Sequence, residues 1–401
     1  MPKNIKNLII LGTIILLAII ILAILFGQKT SENGEPTFLG RLFPESETTS
    51  PSGNKLGFEE EKPSLEELGA KEAGTLTKTE SQNLPAGSLI RLSSDAVSSF
   101  ASFGTTTRYH KNIAENPGHL FEREADGSNE EVRISNFTVP QILNVVWSQD
   151  AKKAVIFYNL NNEVRKILVD YSEGTPKTNF LPDSVSAIAF SPDSKSIAFI
   201  NSTETAENVF VANSSFSNQR KIFDNNIPNL EIFWPAQNLI ALKTKSSYAA
   251  KGFLYTTNAS GAGFAKITES IGLDAVWNSD GSTLVYTNSN LDLFFLDIKT
   301  GARKSLGLKT VAEKCAFSRA LLNIVYCAIP KIVSSGNYPD DWWQGKVSFE
   351  DNIIAIDTQT LDLVLFAQTQ SDAVSPLVLE NDNYLLFKNK NNGELWSLKL
   401  K

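Results

Sequence analysis

The sequence predicts an all-β protein, a seven-bladed β-propeller, preceded by one transmembrane helix and a disordered linker. Three observations carry this reading. An aromatic residue followed by an apolar strand recurs every 40 to 44 residues, a 19-residue apolar run lies near the amino terminus, and a polar segment of 60 residues separates the two.

Residues 1–7 form a short tail with Lys3 and Lys6, and Leu8 to Phe26 follows as 19 uncharged residues, mostly Leu, Ile and Ala. As a helix rising ~1.5 Å per residue this run spans roughly the ~30 Å hydrocarbon layer of a bilayer. A cleaved signal peptide is the alternative, but no small-x-small cleavage site follows near Leu25 to Thr30. Basic residues stay on the cytoplasmic side. The expectation is a single-pass protein of the cell membrane, held through Leu8 to Phe26, with a cytoplasmic amino terminus and everything after residue 26 outside the cytoplasm.

Residues 27–86 carry 11 acidic and 6 basic residues among Ser, Thr, Gly and Pro, the composition of a disordered stalk. Two patches interrupt it. Ser64-Leu-Glu-Glu67 matches a helix capping box, and Phe38-Leu-Gly-Arg-Leu-Phe43 is an apolar cluster; both read as transient linker structure. Lys3 and Lys6 are the only charges in the first 26 residues, so the net charge of −7 becomes −9 for residues 27–401. That balance argues against a nucleic-acid partner.

Residues 87–401 are read as the propeller. Ala189-Phe-Ser-Pro-Asp-Ser-Lys-Ser-Ile-Ala-Phe-Ile200 is a hairpin: Ile188 and Phe190 alternate with small neighbours, Pro192 presets a type I turn, and Asp193 and Ser194 can bond the turn backbone. The pattern returns at Trp147-Ser-Gln-Asp150 and Trp277-Asn-Ser-Asp280, and in weaker form at Phe103, Trp234, Phe317 and Leu379. The seven anchors are 44, 43, 44, 43, 40 and 62 residues apart. A period of 40 to 45 residues, with four short strands in each, is that of propeller blades; six or eight blades are the alternative counts. The last repeat supplies three strands, and Ser88-Leu-Ile-Arg-Leu-Ser93 is a strand with no blade before it. It is expected to fill the vacant fourth place and close the ring, which leaves no open sheet edge.

The Phe-Ser-Pro-Asp-Ser-Lys-Ser-Ile-Ala-Phe unit at 190–199, with its relatives at 147 and 277, resembles the WD40-like repeat of TolB-type propellers over residues 87–401. The resemblance implies an interaction platform of the cell envelope, or the gating propeller of a prolyl-oligopeptidase-like peptidase. The α/β domain that precedes the TolB propeller is replaced here by an anchor and stalk, and no hydrolase domain accompanies the repeats. The arrangement is also similar to bacterial propeller proteins with one amino-terminal membrane helix, which imply no activity.

Catalytic signatures are sparse. His110 and His119 are the only histidines, no Gly-x-Ser-x-Gly elbow occurs, and Gly261-Ala-Gly263 does not continue into a phosphate or dinucleotide fingerprint. Two histidines without a third ligand pattern read as strand and turn residues, so no metal and no cofactor are expected. Asn136, Asn201, Asn213 and Asn258 open Asn-x-Ser/Thr triplets, to which no function is assigned. Cys315 lies two residues before the anchor Phe317 and Cys327 in the next strand. A hairpin there opposes them at disulfide distance in an exported, oxidising setting, so a disulfide is expected, with two buried thiols as the alternative.

The candidate binding site is the stretch that lengthens the last interval, between the sixth and seventh blades. Tyr338, Trp342 and Trp343 stand beside Asp340 and Asp341, flat apolar faces next to acceptors, which suits a peptide or a glycan. The competing reading is that the aromatics pack the insertion onto the propeller as its own small core. Together these features predict a non-enzymatic, membrane-anchored, extracytoplasmic propeller acting as a protein-binding or scaffold module. The alternatives are an exported hydrolase or lyase with a polar site in the propeller channel, and a carbohydrate-binding module.

Overall fold

Seven four-stranded antiparallel sheets follow one another along residues 84–401, the span that the computed structural model describes. The blade count of seven therefore holds for the described residues. Leu8 to Phe26, the stalk up to residue 83 and its two patches lie outside them; among the described residues no helix is long and apolar enough to cross a membrane.

The first six blades each run from the axis outward in chain order, and the seventh does so for its three inner strands. The inner strands are Val97–Phe103, Ile142–Trp147, Val185–Phe190, Leu230–Ala236, Asp274–Trp277, Cys315–Phe317 and Ala373–Val378. All run in the same sense, from what we term the upper side of the ring to the lower. Five anchors, Phe103, Trp147, Phe190, Trp277 and Phe317, end their strands; Trp234 sits inside its strand and Leu379 one residue past.

The hairpin turns after the anchors form as the repeat predicts. In the third blade Ser191 Oγ donates to Asp193 Oδ1 at 2.6 Å and accepts from the Ser196 amide at 2.9 Å, while Asp193 accepts from the Lys195 amide. Ser148, Asp150 and Lys153 repeat this in the second blade, and the Asn278 carboxamide takes the serine's place in the fifth. The residue directly after the anchor thus closes each of these turns, a short polar side chain competing well for nearby backbone groups. Ser194 adds a bond between blades, accepting from the Asp150 amide at 3.1 Å.

Between blades the sheets pack face to face. Val155, Phe157 and Leu168 of the second blade meet Ile188, Phe190 and Phe199 of the third in one buried cluster, and equivalent clusters join the following pairs. Fully burying each such side chain contributes about 1.5–3 kcal/mol relative to exposure.

Closure follows the sequence reading. Leu89–Ser93 is the outermost strand of the seventh blade and pairs antiparallel with Leu395–Lys399, Leu89 opposite Leu398 and Arg91 opposite Trp396. Arg91 Nη1 reaches Glu394 Oε1 at 3.1 Å. Ile90, Leu92 and Leu386 then pack with Val97, Tyr109 and Phe121 of the first blade, joining the last blade to the first.

One placement differs. The insertion lies within the sixth blade, between its second strand, Ile324–Pro330, and its third, Asp351–Asp357, rather than between the sixth and seventh blades. Both strands are regular and fully paired, so the extra residues lengthen one upper loop and leave the sheet intact.

Candidate functional site

A cavity of about 1070 Å³ runs along the axis, lined by the inner strands of blades two to seven. Side chains of an inner strand alternate between the preceding and following blade. In the fourth blade Leu230, Ile232 and Trp234 pack toward the third, whereas Phe233 packs toward the fifth. Glu231 shares the latter face and lines the cavity near its upper mouth.

Three successive blades build that mouth. Lys243, on the second strand of the fourth blade, contacts Glu231 Oε2 at 2.6 Å and Asp274 Oδ1 of the fifth at 3.3 Å. Asp274 Oδ2 accepts from the Glu313 amide at 3.1 Å, and Glu313 stands in a single 3-10 turn, Ala312–Lys314, that leads into the sixth blade's inner strand. Glu313 Oε1 accepts from Trp343 Nε1 of the insertion at 2.6 Å. Burial opposes the charge of Lys243, but Asp274 and Glu231 outweigh it and hold the ammonium above its ordinary pKa. Glu313 is open to the cavity yet ringed by protein. Desolvation first, then Asp274 and Glu231, push its pKa up to about 7 against the opposing pull of Trp343 and Lys243.

The next residue, Lys314, is wholly buried and points the other way, to Asp351 and Asp372 at 2.7 Å each. This network seats the insertion. Trp342 Nε1 and the Phe349 amide both donate to Asp372 Oδ2, at 2.9 and 3.1 Å, and Lys390 Nζ bonds the Trp342 carbonyl at 2.7 Å. Burial, with Asp372 adding to it, raises the Asp351 pKa to about 6 although Lys314 opposes the shift.

The five residues expected to form a binding face do not share one. Tyr338 and Trp342 are buried with Phe349, Leu291, Val311 and Val374, so they form the insertion's own core on the propeller. Asp340 reaches the fourth blade, accepting from the Tyr248 amide at 2.6 Å and lying 3.4 Å from Ser247 Oγ. Asp341 accepts from the Asn337 amide at 2.8 Å and from Lys346 at 3.1 Å, contacts that hold its carboxyl below the usual range. Trp343 alone of the five lines the cavity.

Cys315 and Cys327 are joined in a disulfide across the first two strands of the sixth blade, their Cα atoms 4.1 Å apart. The two histidines are not brought together. His110 is buried between the first two blades, stacked on Trp147 with centroids 5.0 Å apart; its Nδ1 lies 3.1 Å from Ser99 Oγ and its Nε2 2.9 Å from the Tyr171 hydroxyl. Desolvation lowers its pKa to about 3. His119 Nε2 lies 3.1 Å from Thr138 Oγ1. Among the described residues no group of three or more His, Cys, Asp or Glu is placed to hold a metal ion.

The sequence reading passed over Glu231, Lys243, Asp274 and Glu313. A signal was present: an acid stands three residues before the anchors Trp234 and Trp277 and four before Phe317, so it recurs at the blade period.

No protein-family model and no curated protein matches the sequence. Among solved structures the chain is similar to an oligogalacturonate lyase in complex with manganese, at 12% identity over 78% of this chain and 93% of that one, with a TM-score of 0.57. It is similar to the oligogalacturonate lyase of Vibrio parahaemolyticus at 8% identity over the same shares, also with a TM-score of 0.57. A third similarity, to TolB from Acinetobacter baumannii, has 18% identity over 67% of this chain and 65% of that one and a TM-score of 0.44. At these identities the likeness to the two lyases is one of fold: this chain is a seven-bladed β-propeller.

Proposed function

We propose that this chain is a membrane-anchored, extracytoplasmic binding or scaffold module that receives a segment of a partner protein at the upper mouth of its central channel. The observation that carries the reading is the channel itself, a wide cavity whose upper mouth combines carboxylates with apolar side chains left open: Leu143 is 58% exposed and Val164 47%, and both line it. Large apolar groups facing water inside a concavity are characteristic of interaction sites. The chain joins the ring on the opposite side, where the Gly87 amide bonds the Lys399 carbonyl.

An exported hydrolase or lyase is the second reading, and the raised pKa of Glu313 favours it, since a carboxylic acid poised near neutrality suits proton transfer. It ranks second because each mouth carboxylate already holds a protein partner. An acidic sugar, moreover, would meet three carboxylates against one lysine.

The test is site-specific photocrosslinking of the full chain in its native membranes. A photoreactive residue at Leu143 or Val164 is expected to give a discrete protein adduct that Ser186→Trp, filling the channel from the third blade, removes. Adducts formed only from outer-strand positions such as Phe180 would overturn the proposal.

A further inference from the structure

Charge and apolar surface are segregated around the upper mouth. The charged groups come from blades four, five and six, while Leu143 and Val164 come from the second blade, which in a ring of seven lies across the axis. Within the charged arc Lys243 and Asp274 are sequestered and the two glutamates are not. Lys243 is 1% exposed, whereas the Glu231 side chain is 40% exposed and Glu313 opens onto the cavity. An incoming group therefore meets the Glu231 and Glu313 carboxylates first, with the ammonium occupied behind them. Trp343, half-buried beside Glu313, supplies a flat face at the same rim.

We infer that the mouth recognises an extended peptide segment with a lysine or arginine flanked by apolar residues, the basic group set between Glu231 and Glu313 and the apolar neighbours against Leu143, Val164 and Trp343. This inference rests on the channel being the partner site. A guanidinium or ammonium adds the positive charge that the arc lacks, and a charge-assisted bond to a carboxylate is about twice as strong as a neutral one. Glu231 and Glu313 each retain unshared acceptor capacity after their present contacts. Apolar flanks are selected because aliphatic side chains need no donors from the opposite wall. A neutral sugar would need such donors, and on the charged arc Lys243 Nζ and Trp343 Nε1 are already engaged.

The test is selection of random twelve-residue peptides displayed on phage against the full-length chain in lipid nanodiscs, after depletion on empty nanodiscs. Selected peptides are then synthesised and titrated against the parent, Glu313→Gln, Glu231→Gln/Glu313→Gln and Ser186→Trp. The expected result is enrichment of Lys or Arg between apolar residues, with binding at least tenfold weaker to the double variant and lost in Ser186→Trp. Because Glu231→Gln removes one partner of buried Lys243, melting is measured alongside, and the single Glu313→Gln variant, which keeps that pair, must weaken binding by itself. Peptides lost in Ser186→Trp but neutral or acidic, or indifferent to Glu313→Gln, would overturn the basic-ligand inference and leave the channel as the site. Peptides that bind Ser186→Trp as well as the parent, or no enrichment over that variant, would overturn both.

Discussion

The indole N–H of Trp343 donates to Glu313 Oε1 at 2.6 Å, whereas its neighbour Trp342 donates to Asp372 Oδ2 at 2.9 Å from a site that is 1% exposed. One tryptophan faces the channel and the other anchors the insertion.

Substitutions at these two positions should have unequal effects. Trp342→Ala empties a packed site and is expected to cost about 3–5 kcal/mol of stability. Trp343→Phe removes one hydrogen bond at a half-buried position and should cost no more than about 1–1.5 kcal/mol, while weakening partner capture. Chemical denaturation of both variants decides it; equal losses would contradict the division of roles.

Glu313 gives a pH signature of definite sign. Its folded pKa of about 7 lies above the ordinary value of 4.5, so the native state holds a proton that the unfolded chain has released. Its contribution therefore favours the fold at low pH and fades as pH rises from about 4.5 to 7. Melting curves of parent and Glu313→Gln should diverge across this window, with the Gln variant gaining relative stability toward pH 7. Asp274, Glu231, Lys243 and Trp343 face the group in both proteins and so largely cancel in the difference. Parallel curves would show that the carboxyl titrates normally.

His110 acts in the opposite sense. With its pKa lowered to about 3 it stays neutral in the fold while the unfolded chain protonates near 6.5, so stability is complete above that value and falls as pH drops. By pH 5 the loss amounts to about 2 kcal/mol, at 1.36 kcal/mol per unit. His110→Gln, which keeps donor and acceptor without titrating, should remove this component of acid sensitivity; an unchanged acid limb would place the sensitivity elsewhere.

The disulfide closes a short loop, its cysteines 12 positions apart. Chain-entropy arguments give about 3 kcal/mol for a loop of that size. The full-length protein purified without reductant should alkylate at no thiol before reduction and at two after it, as read by intact mass, and Cys315→Ala/Cys327→Ala should be less stable by about that amount. Two free thiols in that material would reject the bond.

Ring closure depends on a strand from the far end of the chain. A chain beginning at residue 95 loses Leu89–Ser93 and leaves the Leu395–Lys399 strand as an open edge; one beginning at residue 80 keeps both. The shorter chain should melt lower and associate through the exposed edge. Equal melting of the two would mean that the outer strand contributes nothing to the ring.

The fold was legible in the sequence because blades are local. Strand alternation, the Pro192–Asp193 turn and the 43-residue spacing all act within one repeat, and even closure could be inferred from a repeat short of one strand. Cys315 and Cys327 were readable for the same reason, since a hairpin opposes residues that lie close in sequence. The mouth was not readable in this way. Glu231, Asp274 and Glu313 are 43 and 39 positions apart, and only the curvature of the closed ring sets them on one arc, facing Leu143 across the axis. The fate of the two tryptophans was decided later still. Trp342 and Trp343 share their chemistry and sit side by side, but in the single helical turn Asp340–Trp343 successive residues point about 100° apart. Which of them met Asp372 and which met Glu313 depended on how that turn docked against the sixth and seventh blades, contacts about 30 positions away in the chain.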